Sequence, residues 1–392
     1  MALTLIYATL FAFTPYFVAV WRAPRLKWAR WRWLIVVVAV LARLAMLQAP
    51  VILSADIYRY CWEGKVQNAG FDPYRYAPNA DELAGLRDAN WQKLDHREVP
   101  SVYPPLLLLV FRAGAQPVSF KRVFTAFDLA IFWLLVKLLR ARGQNESLSL
   151  IWAWNPLVIL EFAGNAHAMS MAICFLIASL WLWETNRRVL AAMALAAAAL
   201  SHFLAVPIAL ATLLCRRDFR AWLVFAVCVA LAFVPFANAG MGMLHLAGRW
   251  RFNGSLFEML VWLFGHEEPH RVHGVWVVYE LPKRIAAGLL VAVMAWTIVR
   301  RYRPSRAAAT VAGAMLLLGS TVHAWYVTWM VALGCVEFSL PWLALSAFVV
   351  VSYVARVVEL QTGVWVDAGM ARWMEYAPFF ALWLVDSLRR RQ

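Results

Sequence analysis

Long apolar runs broken at short intervals by arginine clusters set the pattern of this chain. Runs at 34–53, 221–236 and 286–299 carry almost no charge, and about 20 such residues are needed to cross a bilayer as a helix. Reading every run this way predicts roughly 13 spans. The first covers 3–21 and the second 34–53. A proline-started stretch from Tyr103-Pro104-Pro105 is too short to span and reads as a juxtamembrane or re-entrant helix. Further spans are expected at 120–139, 148–162 and 168–183. Between Arg188 and Arg216, two short half-spans fold back near Ser201-His202. Then come 219–237, 283–299, 307–322, a short 325–336 helix, 342–354 and a last span from about Arg372. The expected fold is all-α, one polytopic unit over 1–392.

Composition agrees with that pattern. The chain has 392 residues, 63% hydrophobic and 15% charged, against about 45–50% and about 25% in soluble domains. No water-soluble fold covers so much apolar side chain. The net charge of +15 is spread along the apolar runs in clusters, among them Arg22/Arg25/Lys27/Arg30/Arg32, Arg216/Arg217/Arg220 and Arg300/Arg301/Arg303/Arg306. Such clusters mark cytoplasmic loops, whereas a nucleic-acid surface would gather them on one soluble domain. Nucleic acid is therefore not an expected partner. The first run lacks a basic leading end, so it reads as a span rather than a cleaved signal. The five cysteines give no disulfide or metal framework. No cofactor and no bound metal are expected.

Placing the basic clusters inside puts 54–118 outside as a long loop with its juxtamembrane helix, and 238–275 as a second outer segment. Residues 54–103 hold eight of the 22 carboxylates: Asp56, Glu63, Asp72, Asp81, Glu82, Asp88, Asp95 and Glu98. Asp56 lies just beyond an apolar span, where partial desolvation raises basicity while Arg59 nearby would keep it ionised. That setting suits a general base; the plain alternative is an aspartate that ends a helix. Gly70-Phe71-Asp72-Pro73-Tyr74 and Tyr76-Ala77-Pro78 are turn-forming and aromatic, as functional loops of this length often are.

The run Asp56-Ile-Tyr58-Arg59-Tyr60-Cys-Trp62-Glu63-Gly-Lys, then Gly70-Phe-Asp72-Pro-Tyr74 and Val102-Tyr103-Pro-Pro, resembles the first outer loop of bacterial GT-C glycosyltransferases. The likeness is to the polyprenol-phosphate-mannose-dependent mannosyltransferases. Three later stretches share it: Trp152-Ala-Trp-Asn155-Pro-Leu with Glu161 and Gly164-Asn-Ala-His167; Trp250-Arg251-Phe-Asn253-Gly-Ser; and Val322-His323-Ala-Trp325-Tyr326. The resemblance implies transfer of a hexose, mannose in the nearest case, from a polyprenyl-phosphate donor to a glycan, glycolipid or protein acceptor on the outer face, with inversion. It further implies Asp56 as base and a bacterial plasma-membrane location. Arg59, Arg249, Arg251 and His323 are the candidates for the donor phosphate. Tyr58, Tyr60, Trp62, Glu63, Asp72, Tyr74, Tyr103, Asn155, Glu161, His167, Asn253, Trp325 and Tyr326 are the candidates for substrate contacts.

Asp128 and Glu161 lie in apolar runs, where ionisable groups are costly and need a partner or a function; pairing with Arg122 or a tryptophan indole would account for them. His202 marks the hairpin tip. His266, His270 and His273 with Glu267 and Glu268 have the composition of a metal site without a recognised ligand spacing. The rival class is a transporter or flippase of lipid-linked or small anionic solutes. Its polar residues should sit mid-membrane at broken helices, whereas these concentrate in outer loops.

Overall fold

The computed structural model describes residues 1–114, 116–236, 250–266, 268, 270–272, 275–366 and 369–389. Helices dominate, in keeping with the all-α expectation. Among the described residues the β structure is a three-residue antiparallel pair, His270–Val272 with Val275–Val277, and one isolated bridge. Three helical segments are long and apolar enough to cross a membrane: Ala2–Arg25, Glu280–Val299 and Leu340–Thr362. A bent pair, Glu146–Ala153 with Pro156–Gly164, makes a fourth if counted as one span. Most other apolar helices are shorter, including Met169–Glu184, Phe219–Phe233 and Pro304–Leu318. Large apolar side chains face outward, among them Phe11, Trp33, Trp262, Trp296 and Trp373. A surface of this kind is matched to lipid rather than water.

Most segment expectations map onto helices with shifted ends. The second run forms a helix at Trp28–Leu47 rather than 34–53; it starts among the basic residues and stops short because Pro50 disfavours helix at the residue before it. The hairpin near His202 is present as Arg188–Ala199 and Ala205–Arg216. The juxtamembrane helix is Pro105–Ala113.

The 148–162 run is not one continuous helix. It bends by 56° where Asn155-Pro156 interrupts it, since Pro156 has no N–H to donate to the preceding turn. Asn155 starts the next helix, its Oδ1 accepting from the Val158 N–H at 3.2 Å while its Nδ2 donates to Tyr16 and Ser346. The chain then widens into a π-helical turn at Leu160–Gly164, a form common at functional sites.

The break is braced from the second helix. Arg43 donates to both Asp128 carboxylate oxygens, at 2.6 and 3.0 Å, and to the carbonyls of Ala39 and Ala153. Trp152 Nε1 adds a bond to Asp128 at 2.9 Å. Asp128 is thus paired by Arg43 and an indole, and Arg122 is not its partner. Every group in this cluster is buried and bonded, which is what makes two charges tolerable in an apolar interior.

The long loop from residue 54 to 118 is a folded unit. The helix Asp56–Asn68 packs on Pro105–Ala113, so closely at Gly64 that a Cβ would collide with the Phe111 carbonyl. Tyr60 stacks on Phe111 at 4.6 Å. Arg59 ties the loop's far end to this helix: Nε to Glu63 at 2.6 Å, Nη1 to the His96 carbonyl at 3.2 Å and Nη2 to the Val99 carbonyl at 2.7 Å.

Two outcomes follow from these contacts. Arg43→Met alone leaves Asp128 buried and unpaired and should cost about 3–5 kcal/mol. The double change with Asp128→Leu should recover much of that; thermal unfolding in detergent reads both, and equal losses in single and double variants would contradict the pairing. Arg59→Lys cannot make the three-way fork, and loss of bonds worth on the order of 2 kcal/mol should raise amide exchange selectively at residues 94–99.

Candidate active site

Asp56 is the first residue of the Asp56–Asn68 helix, where a negative charge is favoured by the helix dipole. It looks into a cavity of about 750 Å³ bounded by six parts of the chain: the first long loop, the 167–169 turn, the His202 hairpin tip, the 352–365 stretch, and the 250–252 and 321–326 segments. The last two are stitched together by backbone, Phe252 N–H to Ser320 at 2.9 Å and Val322 N–H to Phe252 at 2.8 Å. The Asp56 side chain is 40% exposed, into this cavity and with protein around it.

After the π turn the chain reverses through Ala166, whose φ of 61° is in the left-handed region. The reversal delivers His167, 1% exposed, between two carboxylates. Its Nδ1 lies 3.4 Å from Asp56 Oδ2 and its Nε2 3.3 Å from Glu161 Oε2. Both contacts are long and off the ideal hydrogen-bond axis, yet each carboxylate favours the protonated ring by its closeness to a ring nitrogen and by its charge. Burial by itself would push the His167 imidazole down, but the two carboxylates outweigh it and raise it to about 9. The ion-pair stabilisation from this group is therefore complete below the ordinary histidine range and is lost as pH climbs through about 9. Burial would raise Asp56; His167 beside it offsets that and holds the carboxyl below its usual value. His167, rather than Arg59, is the cation that keeps Asp56 ionised. Burial pushes His323 down to about 4 and leaves it neutral.

Trp325 is sandwiched between the two imidazoles, 3.8 Å from His167 and 4.3 Å from His323, nearly parallel to both. Phe252 and Trp250 continue the aromatic wall beyond His323. Flat aromatic faces of this kind suit the C–H face of a sugar, and a cationic imidazole on a tryptophan gains a cation–π contribution.

The cavity brings together nine of the residues singled out from the sequence: Asp56, Arg59, Tyr60, Tyr103, His167, Arg251, His323, Trp325 and Tyr326. Arg249 lies outside the described residues, as do all of 238–249, Glu267 and His273. The other eight are placed behind the wall. Tyr58 lies under Lys93; Trp62 packs with Val66, Leu83 and Leu94; Glu63 pairs with Arg59. Asp72 accepts from the Tyr74 N–H, and the Tyr74 hydroxyl donates to the Tyr103 carbonyl. Asn155 caps the broken helix, Glu161 supports His167, and Asn253 donates to Glu375 at 2.8 Å. Even the nine differ in availability. Each nitrogen of Arg59 is engaged, and Arg251 is bound to Glu258 and Tyr279.

Sequence reasoning missed His96, Tyr353, Arg356, Glu359 and Trp365, all on the cavity wall, and named Asp95, also there, only among the loop carboxylates. Arg356 pairs with Glu359, and its buried Nε has no hydrogen-bond partner. Ser352-Tyr353 inside an apolar span was a signal of the kind that marks polar function in membranes. The others carry no local pattern. Among the described residues no group of histidine, cysteine and carboxylate side chains is arranged to hold a metal.

A second cavity of about 380 Å³ adjoins the first. It is largely apolar, lined by Ile208, Ala286, Leu290, Ala312 and Leu316, and shares Phe203, Trp250, Thr321 and Tyr326 with the Asp56 cavity as a common wall.

Comparison with known proteins points the same way. GPI mannosyltransferase 1 of Gibberella zeae is 30% identical over 111 residues, 27% of this chain and 25% of that protein. An alpha-(1->6)-mannopyranosyltransferase of Mycobacterium tuberculosis is 29% identical over 140 residues, 32% of this chain and 23% of its own. Alpha-(1->6)-mannopyranosyltransferase A of Corynebacterium glutamicum is 26% identical over 167 residues, 40% and 33% respectively. The matched segments thus span no more than a third of these relatives. The family model described as alpha-(1->6)-mannopyranosyltransferase, N-terminal domain, matches residues 1–217, more than half of the sequence. This membrane protein belongs to that mannosyltransferase family.

Proposed function

We propose that the chain transfers mannose from a polyprenyl phosphate to an acceptor hydroxyl on the outer face of a bacterial plasma membrane, with inversion. The observation that carries this reading is the Asp56 carboxylate, held ionised on the wall of a cavity with several polar and charged side chains that adjoins a more apolar one. In the step, the acceptor oxygen bonds to the anomeric carbon while its proton passes to Asp56. The bond from that carbon to the phosphate oxygen breaks, and its electron pair leaves with the polyprenyl phosphate. Fixed charge aimed at the leaving group lowers the barrier because it needs no reorganisation. Arg251 and Arg356 on the cavity wall supply cations for that purpose, and the apolar cavity is of the right chemistry for the prenyl chain. Trp325, Phe252 and Tyr326 are the surfaces on which the transferred sugar and the acceptor would lie.

The chain is read as one integral membrane unit of roughly 13 crossings, counting short and half-crossing helices, with 54–118 and 238–275 outside. Acceptor classes in keeping with this placement are glycans, glycolipids and proteins.

Purified protein given mannosyl-phosphoryl-polyprenol should release polyprenyl phosphate, and a nucleotide sugar without a lipid carrier should not replace that donor. Asp56→Asn keeps the shape but removes the charge that takes the proton, so transfer should fall by roughly 10²–10⁴. Near-normal turnover by that variant, or efficient transfer from the nucleotide sugar, would reject the proposal. For orientation, a cysteine at residue 65 in a Cys-free background should react with an impermeant thiol reagent in sealed cells, and one at residue 187 should not. Labelling of 187 from outside would reverse the topology.

A further inference from the structure

Glu161 is 0% exposed on its side chain and lies behind the cavity wall. It is nevertheless among the most heavily bonded groups in the protein. Its carboxylate accepts the Tyr353 hydroxyl at 2.7 and 2.9 Å and the Asn165 amide at 3.1 Å, and it stands 3.3 Å from His167 Nε2. Tyr353 comes from 192 residues away, so the carboxylate is fixed from two separate parts of the bundle. We infer that Glu161, with Tyr353 and Asn165, is the positioning group that holds His167 as a cation beside Asp56 and supplies the charge that balances it when Asp56 takes up a proton. This inference rests on the reading of Asp56 as base.

The reason lies in the charge count of a water-poor site. With both carboxylates ionised and His167 protonated, the three side chains carry one net negative charge. When Asp56 receives the acceptor proton, the remainder is a matched imidazolium–carboxylate pair, and the site is neutral. Were Glu161 uncharged, proton uptake by Asp56 would leave a lone buried cation, and an unmatched buried charge is among the costliest states in a protein interior. The geometry serves the same end. The π turn places Glu161 one face around from Asn165, and the left-handed Ala166 turns the imidazole so that each nitrogen addresses a different carboxylate. Trp325 closes the flat side.

The other titratable groups around His167 do not substitute for Glu161. His202 and His323 line the same cavity, His323 on the far face of Trp325, and burial lowers both and leaves them neutral. Tyr60 accepts from the neighbouring Ala168 N–H at 3.4 Å, and burial raises its hydroxyl far above neutrality, as it does that of Tyr103. Asp56 and Glu161 are the two anions that set the charge of His167.

The test uses the full chain in nanodiscs with ¹³C-labelled histidine, the His167 signal assigned through His167→Gln. Its titration should centre near 9, matching the elevated value in the intact cluster. In Glu161→Gln it should move down by at least about one pH unit, one unit being a tenfold change in proton affinity. Tyr353→Phe, a smaller change that preserves packing, should shift it the same way by less. In the transfer assay, the alkaline limb of kcat should follow these shifts while KM for the lipid donor stays nearly constant, the mark of an interaction acting in the chemical step. An unmoved His167 titration in both variants overturns the inference, whether or not the transfer reaction is the one proposed. Transfer from the lipid donor that is indifferent to Asp56→Asn would instead overturn the reading of Asp56 while the titration stands.

Discussion

His167 is held between Asp56 and Glu161 in a largely apolar bundle, and the backbone around it is arranged to bring the two carboxylates to the ring. A charge in such a place is tolerated only when matched and fixed. The matching comes from three distant parts of the chain: the N-terminus of the outer-loop helix, the π turn, and Tyr353 on the Leu340–Thr362 span. The outer loop cannot drift without separating Asp56 from the imidazole, so its own anchors matter equally. Tyr60 stacked on Phe111 and Arg59 forked across Glu63 and the 96–99 backbone hold it in register.

The break at Asn155-Pro156 has the same logic. The bend and the wide turn after it set Glu161 against His167, which reaches the cavity. The loss of regular backbone bonding is offset by side chains. Arg43 takes the Ala153 carbonyl, Asn155 caps the new helix, and Tyr16 donates to the Ile151 carbonyl. Irregular backbone deep in a membrane protein survives where it is buried in protein or lines a cavity, and this stretch does both. The Arg43–Asp128 pair therefore supports the site from below while touching none of it.

Apolar patterning carried the helical class, the proline-started helix at 105 and the fold-back near His202, because those depend on neighbours in sequence. Asn155-Pro156 was also local, and the break it makes follows from its residues, yet an apolar run of ordinary span length concealed it. Pairings across the bundle left no such trace. Asp128 finds Arg43 at a separation of 85 residues and Glu161 finds Tyr353 at 192; of the two partners expected for Asp128, a tryptophan indole is there in Trp152 and Arg122 is not. In the candidate site, the motif residues Asp56, His167, His323 and Trp325 do meet at one cavity. Trp62, Asp72 and Tyr74 look equally chemical in the sequence, but they build the loop that presents Asp56. Arg356 and Glu359 lie in a stretch with no motif, and only the fold brings them to the wall.

The central claim is that the sugar is transferred at the Asp56 cavity with the prenyl chain in the apolar cavity beside it. A structure of the chain bound to a non-transferable phosphonate analogue of a short-chain prenyl phosphomannose tests that most directly. The account predicts the mannose against Trp325 with its anomeric carbon turned toward Asp56, and the prenyl chain between the Glu280–Val299 and Pro304–Leu318 helices. An analogue seated with its sugar away from Asp56, or with its chain elsewhere in the bundle, would contradict it.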